Sequence, residues 1–313
     1  MRERDARPAR AREGLRLPVA LEPPALALVL FGNMAGAITT ELQNKLLSLR
    51  RMLRETERAA IAFSGGVDST FLAAVAAEEL GDGAIAIPAE SVVFPPHEAV
   101  EAAELAQRIG IRQVTIKPDL LAVPGFSSNP PNRCYLCKKA LFGDIQAVAA
   151  AEGINTLMDG TNADDADAYR PGKRAARELG VVSPLLDTGI NKDDIRALSS
   201  DMGLPTADKP SFACLASRFP YGTDITQDRL RAVDTVENEL RASGFRQFRV
   251  RYHGELVRIE VAAAEIPQLC AENVRQTIAG KAHAVGFRFV TLDLDGYRTG
   301  SLDLPGADMA EEK

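Results

Sequence analysis

The stretch that most constrains this chain is Ala59-Ala60-Ile61-Ala62-Phe63 running into Ser64-Gly65-Gly66-Val67-Asp68-Ser69-Thr70. The apolar run is short enough to be a buried parallel strand. Gly65 and Gly66 then supply a turn that tolerates unusual φ and lets another molecule approach the backbone. Beyond the turn Phe71, Leu72, Val75 and Leu80 recur at helical spacing, with Gly81 as a stop. Strand, turn and helix start together place free N–H groups and the positive end of a helix dipole in one spot. Such a spot suits an anion, a phosphate above all. The competing reading is an ordinary strand-to-helix turn capped by Ser and Asp.

Similar units follow. A polar-rich helix over Ile38 to Glu57 leads into the first strand. Strands are expected at 84–87, 113–116, 155–158 and Val181-Val182, with helices at His97 to Ile109, Leu136 to Ala151, Pro171 to Leu179 and Lys192 to Met202. A Pro-broken loop, Lys117 to Arg133, interrupts them. This alternation predicts an α/β fold, a parallel sheet covered by helices on both faces. Ligands of such sheets sit at the carboxyl ends of the strands. The glycine turn, the cysteine-bearing loop and Asp159-Gly160-Thr161-Asn162 all follow strands and should converge there. Phe219-Pro220-Tyr221-Gly222 reads as a linker. Beyond it Thr226 caps a helix bearing Leu230, Val233, Val236 and Leu240. Strands Phe248 to Tyr252 and Leu256 to Val261, a helix near Ala263 to Ile278 and a strand near Phe289 to Leu294 complete a smaller α+β unit. The expected domains are thus 37–218 and 223–300, with a tail at 301–313. Residues 1–36, Arg-rich and then Pro-rich, read as a disordered tail or as a start placed too early, with Met34 the true start; a loosely formed secretory signal is the other reading.

The chain has 37 Lys and Arg against 43 Asp and Glu, a net charge of −6. That balance weighs against a nucleic-acid partner. No stretch approaches a membrane span, so a soluble, cytoplasmic protein is expected. Four cysteines in 313 residues do not make a disulfide scaffold. Cys134 and Cys137 form a Cys-x-x-Cys and Cys214 lies far along the chain, while Cys270 beside Leu269 reads as a core thiol. For the first three, structural zinc, a redox dithiol and a [4Fe–4S] cluster with one open iron all remain open on spacing.

Ser-Gly-Gly-Val-Asp-Ser lacks the Gly-Lys-[Ser/Thr] ending of a Walker A loop and instead resembles the PP-loop of ATP pyrophosphatases. That resemblance implies that Ser64, Gly65, Gly66 and Ser69 hold pyrophosphate and that Asp68 helps place Mg²⁺. Further strings narrow it: Asp159 to Asp165, Tyr169-Arg170-Pro171-Gly172, Ser183-Pro184-Leu185 and Lys209 to Arg218. Together they resemble the ATP-dependent sacrificial sulfur transferases of nickel-pincer cofactor assembly (LarE type), over nearly all of the chain except its tails. The resemblance implies that ATP adenylates a carboxylate of a pyridinium-3,5-dicarboxylate mononucleotide and that sulfur replaces the AMP. Some members donate sulfur from their own cysteine, matching Cys214. Others hold a [4Fe–4S] cluster on three cysteines, matching Cys134, Cys137 and Cys214, with an extra sulfide from a separate donor. This chain looks like the cluster type, and the family suggests a homo-oligomer.

Within that frame Ser217 and Arg218 would sit by the transferred sulfur. Gly160 and Thr161 belong to the nucleotide site. Asp165 either caps a helix or positions ribose or Mg²⁺, and Arg170 and Lys192 are phosphate contacts or solvated charges. Arg249 and Arg251 share one strand face. They form cross-strand ion pairs on a solvated sheet, or, as the resemblance implies, bind the substrate phosphate while Glu237 and Glu260 line the site or bind a metal. His97, His253 and His283 read as surface or turn residues. A tRNA thiolase would need a basic groove, an amidating synthetase an ammonia source, and a zinc-held nucleotide-binding module would release no pyrophosphate.

Overall fold

The computed structural model describes residues 38–165, 171–210, 213–298 and 302. In chain order it forms α1 (Thr40–Thr56), β1 (Ala59–Ala62), α2 (Val67–Leu80), β2 (Ala84–Ile87), α3 (Pro96–Ile109), β3 (Arg112–Gln113), α4 (Arg133–Ala151), β4 (Leu157–Met158), α5 (Pro171–Glu178), α6 (Pro184–Asp187), α7 (Lys192–Asp201), α8 (Gln227–Ala242), β5 (Phe248–His253), β6 (Leu256–Val261), α9 (Ile266–Cys270), α10 (Glu272–Ala284) and β7 (Phe289–Leu292).

The first sheet is parallel, in the order β3-β2-β1-β4. Its strands are apolar on both faces, and the pleat divides them. Ile61, Ala84 and Ala86 face α1, α2, α3 and α7 through Leu49, Phe71, Leu105 and Leu198. Ala60, Ile85 and Ile87 face α4 through Phe142 and Ile145. A parallel sheet sandwiched in this way is the α/β fold that the strand–helix alternation predicts.

The sheet is shorter than expected. Val181-Val182 contributes one bridge, Val182 to Met158, rather than a strand, and Ile116 likewise bridges only to Ala89. The second sheet pairs β5 and β6 antiparallel, with β7 parallel to β6. Leu230, Val233, Val236 and Leu240 of α8 pack on it with Ile278 and Ala282 of α10. The single helix expected near 263–278 is broken. Pro267 lies at the start of α9, where a missing N–H costs nothing, and Ala271 is extended between α9 and α10. The second core also takes in Val93, Leu120 and Phe126 from the loops beyond β2 and β3. All the described residues fall in one compact unit.

Candidate active site

The glycine loop leaves the carboxyl end of β1 and closes on itself. Ser69 Oγ lies 3.0 Å from Ser64 Oγ and accepts the Ser64 N–H at 3.2 Å. Ser64 Oγ accepts the Gly66 N–H at 3.3 Å. Gly65 sits at φ +67°, and a Cβ there would lie 3.4 Å from Ala102 of α3. Glycine answers both constraints. Gly66 is extended and caps α2 without a side chain, so the helix start is not blocked by a capping side chain.

Three distant segments press on this loop. Gly160 follows β4, and a Cβ on it would lie 2.9 Å from the Ser69 nitrogen. The buried Asp159 beside it accepts the Thr161 and Ser183 hydroxyls, each at 2.7 Å. Lys192, at the start of α7, places Nζ 2.6 and 2.5 Å from the two Asp68 oxygens. Its backbone N–H donates to Asp164 Oδ2 at 2.9 Å, while Asp165 Oδ2 accepts the Asn162 N–H at 3.2 Å. Lys209 Nζ donates to the Gly65 carbonyl at 3.0 Å and to Glu101 at 2.7 Å. Lys209 belongs to one of the site strings, but nothing in its local sequence marks it for this contact. Arg170 and the Ser211-Phe212 pair lie outside the described residues.

A cleft of about 2300 Å³ opens over the loop. Ser64, Gly66, Asp68, Ser69, Gly160, Thr161 and Asp165 all line it, as does Cys134, with Ala213 and Leu215 on either side of Cys214. The Cys-x-x-Cys is not on a loop. It occupies the opening turns of α4, because the helix starts at Arg133, directly after Pro130-Pro131-Asn132. Arg133 explains the early start. Its side chain is buried, donating to Asn129 Oδ1 and, at 2.9 Å, to the Ala216 carbonyl, with Nη2 3.9 Å from Cys134 Sγ. Burial pulls its pKa down, but negative charge on Cys214 and Cys134 outweighs that and raises it. Cys137 is pushed up to about 12, by burial first and then by charge on Cys214 and Cys134. Burial raises Cys214 as well, opposed by Arg133. Cys137 and Cys214 therefore each sense a neighbouring thiol and Arg133. All are free, and among the described residues no three His, Cys, Asp or Glu side chains are grouped so as to hold a metal ion. Cys270 is exposed at the end of α9 rather than in the core, because Leu269 takes the buried position.

Charged residues behind the Cys214 segment are buried and paired. Arg218 Nε and Nη2 donate to the two Glu237 oxygens at 2.8 and 2.9 Å. Its Nη1 donates to the carbonyls of Ala213 and Cys214 at 2.6 and 3.1 Å and to Ser217 Oγ at 2.9 Å. Ser217 Oγ in turn donates to the Cys214 carbonyl at 2.8 Å. Glu237 Oε1 also accepts the Val250 N–H at 3.1 Å. Arg251 joins Glu260 at 2.9 Å and donates to the Ser217 carbonyl at 3.1 Å; Arg258 takes the other Glu260 oxygen. Arg249 is buried beneath the Tyr297 ring, 4.9 Å from its centre, and burial lowers its pKa. The hairpin face is therefore no solvated surface, and Glu237 and Glu260 each have a buried arginine partner. His253 and His283 are exposed. His97 is half-buried in the first turn of α3, with Nδ1 buried and unpartnered among the described residues.

A family model for asparagine synthase matches residues 46–124. An uncharacterised protein of Synechocystis sp. is 44% identical over 262 residues, 84% of this chain and 98% of the relative. The pyridinium-3,5-bisthiocarboxylic acid mononucleotide synthase of Lactiplantibacillus plantarum is 35% identical over 263 residues, 84% of this chain and 95% of the relative. An uncharacterised protein of Methanocaldococcus jannaschii is 28% identical over 259 residues, 82% and 98% of the two chains. No helix among the described residues is long and apolar enough to cross a membrane.

Proposed function

This chain belongs to the pyridinium-3,5-bisthiocarboxylic acid mononucleotide synthase (LarE) family, and on that premise we propose that it converts a carboxylate of a pyridinium-3,5-dicarboxylate mononucleotide into a thiocarboxylate. The enzyme is an ATP-dependent sulfur transferase of the PP-loop class. The observation that carries the finer reading is one cleft shared by the glycine cradle and by Cys134, with the segment around Cys214 on its wall.

The residues divide the work as follows. Ser64, Gly65, Gly66 and Ser69 hold the pyrophosphate being released, with α2 directing its positive end at that charge. Asp68 would hold a Mg²⁺ ion, which would supply positive charge to the phosphates, and Lys192 Nζ beside it offsets the charge that builds there during adenylation. Adenylation exchanges a poor leaving oxygen for AMP, which a sulfur nucleophile then displaces. Arg218 and Ser217 hold the Cys214 carbonyl, which fixes the segment presenting the sulfur. Arg249 and Arg251 supply positive charge behind it, toward the substrate phosphate.

Cys137 feels the charge of Cys134 and Cys214, and Arg133 lies beside Cys134, so the three thiols share one neighbourhood, which supports reading them as one donor set. The donor set would be Cys134, Cys137 and Cys214, and a bound [4Fe–4S] cluster would carry sulfide on its open iron. Anaerobic reconstitution with iron and sulfide tests this. Four irons per chain, lost in Cys134→Ala, are expected on that reading. Absent iron with an intact-mass loss at Cys214 after one turnover would instead make Cys214 a single-use donor. Stoichiometric zinc without pyrophosphate release would overturn the sulfur-transfer reading.

A further inference from the structure

We propose that Glu98 is the proton acceptor of the sulfur-transfer step, an inference that rests on the sulfur-transferase reading above. Glu98 stands in the first turn of α3 and lines the cleft. Its helix is fixed to the phosphate cradle by two contacts, Ala102 against Gly65 and Glu101 to Lys209, whose Nζ also holds the Gly65 carbonyl. The cysteine-bearing segment is fixed to the other end of the same region, where the Leu215 N–H donates to the Val93 carbonyl at 2.8 Å, just before α3 begins. Glu98 therefore lies on the wall between the site of adenylation and the source of sulfur.

What separates Glu98 from the other acids nearby is that it has no task. Glu101 holds Lys209, Glu237 holds Arg218, and Glu260 holds Arg251 and Arg258. The Glu98 carboxylate has no hydrogen bond or ion pair among the described residues, yet it is largely removed from water. The charges that reach it are Lys209, Arg218 and Arg241, which favour its ionised form, and Glu101, which opposes it. Burial exceeds them all and pushes the carboxyl up to about 7, where a group exchanges protons most effectively at neutral pH.

The C–S bond-forming step balances as follows, and the bond between the sulfur and its donor breaks only afterwards, when the thiocarboxylate is released. The sulfur lone pair forms the C–S bond to the acyl carbon as the S–H proton passes to the Glu98 carboxylate. The acyl C–O bond breaks, its electron pair leaving on the phosphate oxygen of AMP. Neutral Glu98 then returns the proton to water in the cleft.

The test separates the two half-reactions in a single turnover of the reconstituted enzyme with ATP and the pyridinium dicarboxylate. Pyrophosphate release and thiocarboxylate formation are followed as a function of pH. In the wild type, thiocarboxylate formation should rise with pH through a limb near the Glu98 value. In Glu98→Gln it should fall about 100-fold further than pyrophosphate release, and the limb should vanish. Glu98→Asp should keep the limb at a reduced rate, and it carries the test should the Gln variant not fold. A Gln variant with wild-type transfer, or any active form that lacks the limb in the presence of the carboxylate, would overturn the role of Glu98 alone. A wild type that releases no pyrophosphate would overturn the sulfur-transferase reading and this step with it.

Discussion

Glu237→Leu probes how the sulfur-bearing segment is held. Arg218 is 0% exposed and Glu237 1%, so water screens neither charge. Removing the carboxylate leaves a buried guanidinium facing only neutral acceptors, namely the Ala213 and Cys214 carbonyls and Ser217 Oγ. It also orphans the Val250 N–H. An unpaired buried charge costs about 3–5 kcal/mol, and the orphaned N–H adds about 1–3 kcal/mol. At about 2–4 °C per kcal/mol for a unit approaching this size, Tm should fall by roughly 10 °C or more. The double variant Arg218→Met with Glu237→Leu removes both charges and fills the space with apolar atoms. It should recover the charge penalty and retain a loss of about 2 kcal/mol, from the orphaned Val250 N–H and the two released carbonyls. Urea denaturation of the wild type, both single variants and the double variant yields the coupling energy. Strictly additive losses would refute the pairing as the anchor of this segment. Sulfur transfer should stay impaired in the double variant despite its regained stability, because the Cys214 carbonyl loses its Arg218 donor.

Two further outcomes follow from the geometry. Gly160→Ala would put a methyl 2.9 Å from the Ser69 nitrogen and 3.2 Å from the Asp68 backbone. Neither is a flexible tip, so the phosphate cradle must shift. Stability should drop by about 1–3 kcal/mol, and ATP affinity, measured by calorimetry, should weaken in parallel. Glu98 sets a pH slope: its carboxyl is raised from 4.5 to about 7, so the folded state holds a proton that the unfolded state has lost. Stability should therefore fall as pH rises across that window and level off above it. Glu98→Gln should flatten that part of the Tm-against-pH curve, and an unchanged slope would refute the burial of this acid.

Short-range pattern was sufficient for the fold class. Ala59 to Phe63 is uniformly apolar because both faces of β1 are covered, and the helical spacing after Gly66 marks the one place where α2 can begin. The Gly-Gly turn was legible as a turn for the same local reason, and the cysteines and site strings were visible as residues. Helix starts were less so. Propensity and the Pro-Pro pair suggested that α4 begins near Leu136, and only the burial of Arg133 against Asn129 and Ala216 brings the Cys-x-x-Cys into its opening turns. Lys209, which crosses 144 positions to reach Gly65, has no periodic or spacing signal at all.

By itself, then, the sequence determined the alternation of strand and helix and the glycine turn after β1, since each follows from neighbours a few positions apart. Only the tertiary structure decided which charges are spent on one another. Nothing in the local sequence marks Arg218 and Glu237 as a pair or sets Glu98 apart from them. Folding encloses the first two together, where each cancels the other's desolvation cost, and leaves Glu98 half-buried without a partner. Pairing depends on distances between remote segments, and those distances are set by packing of the two cores rather than by any local preference of the chain.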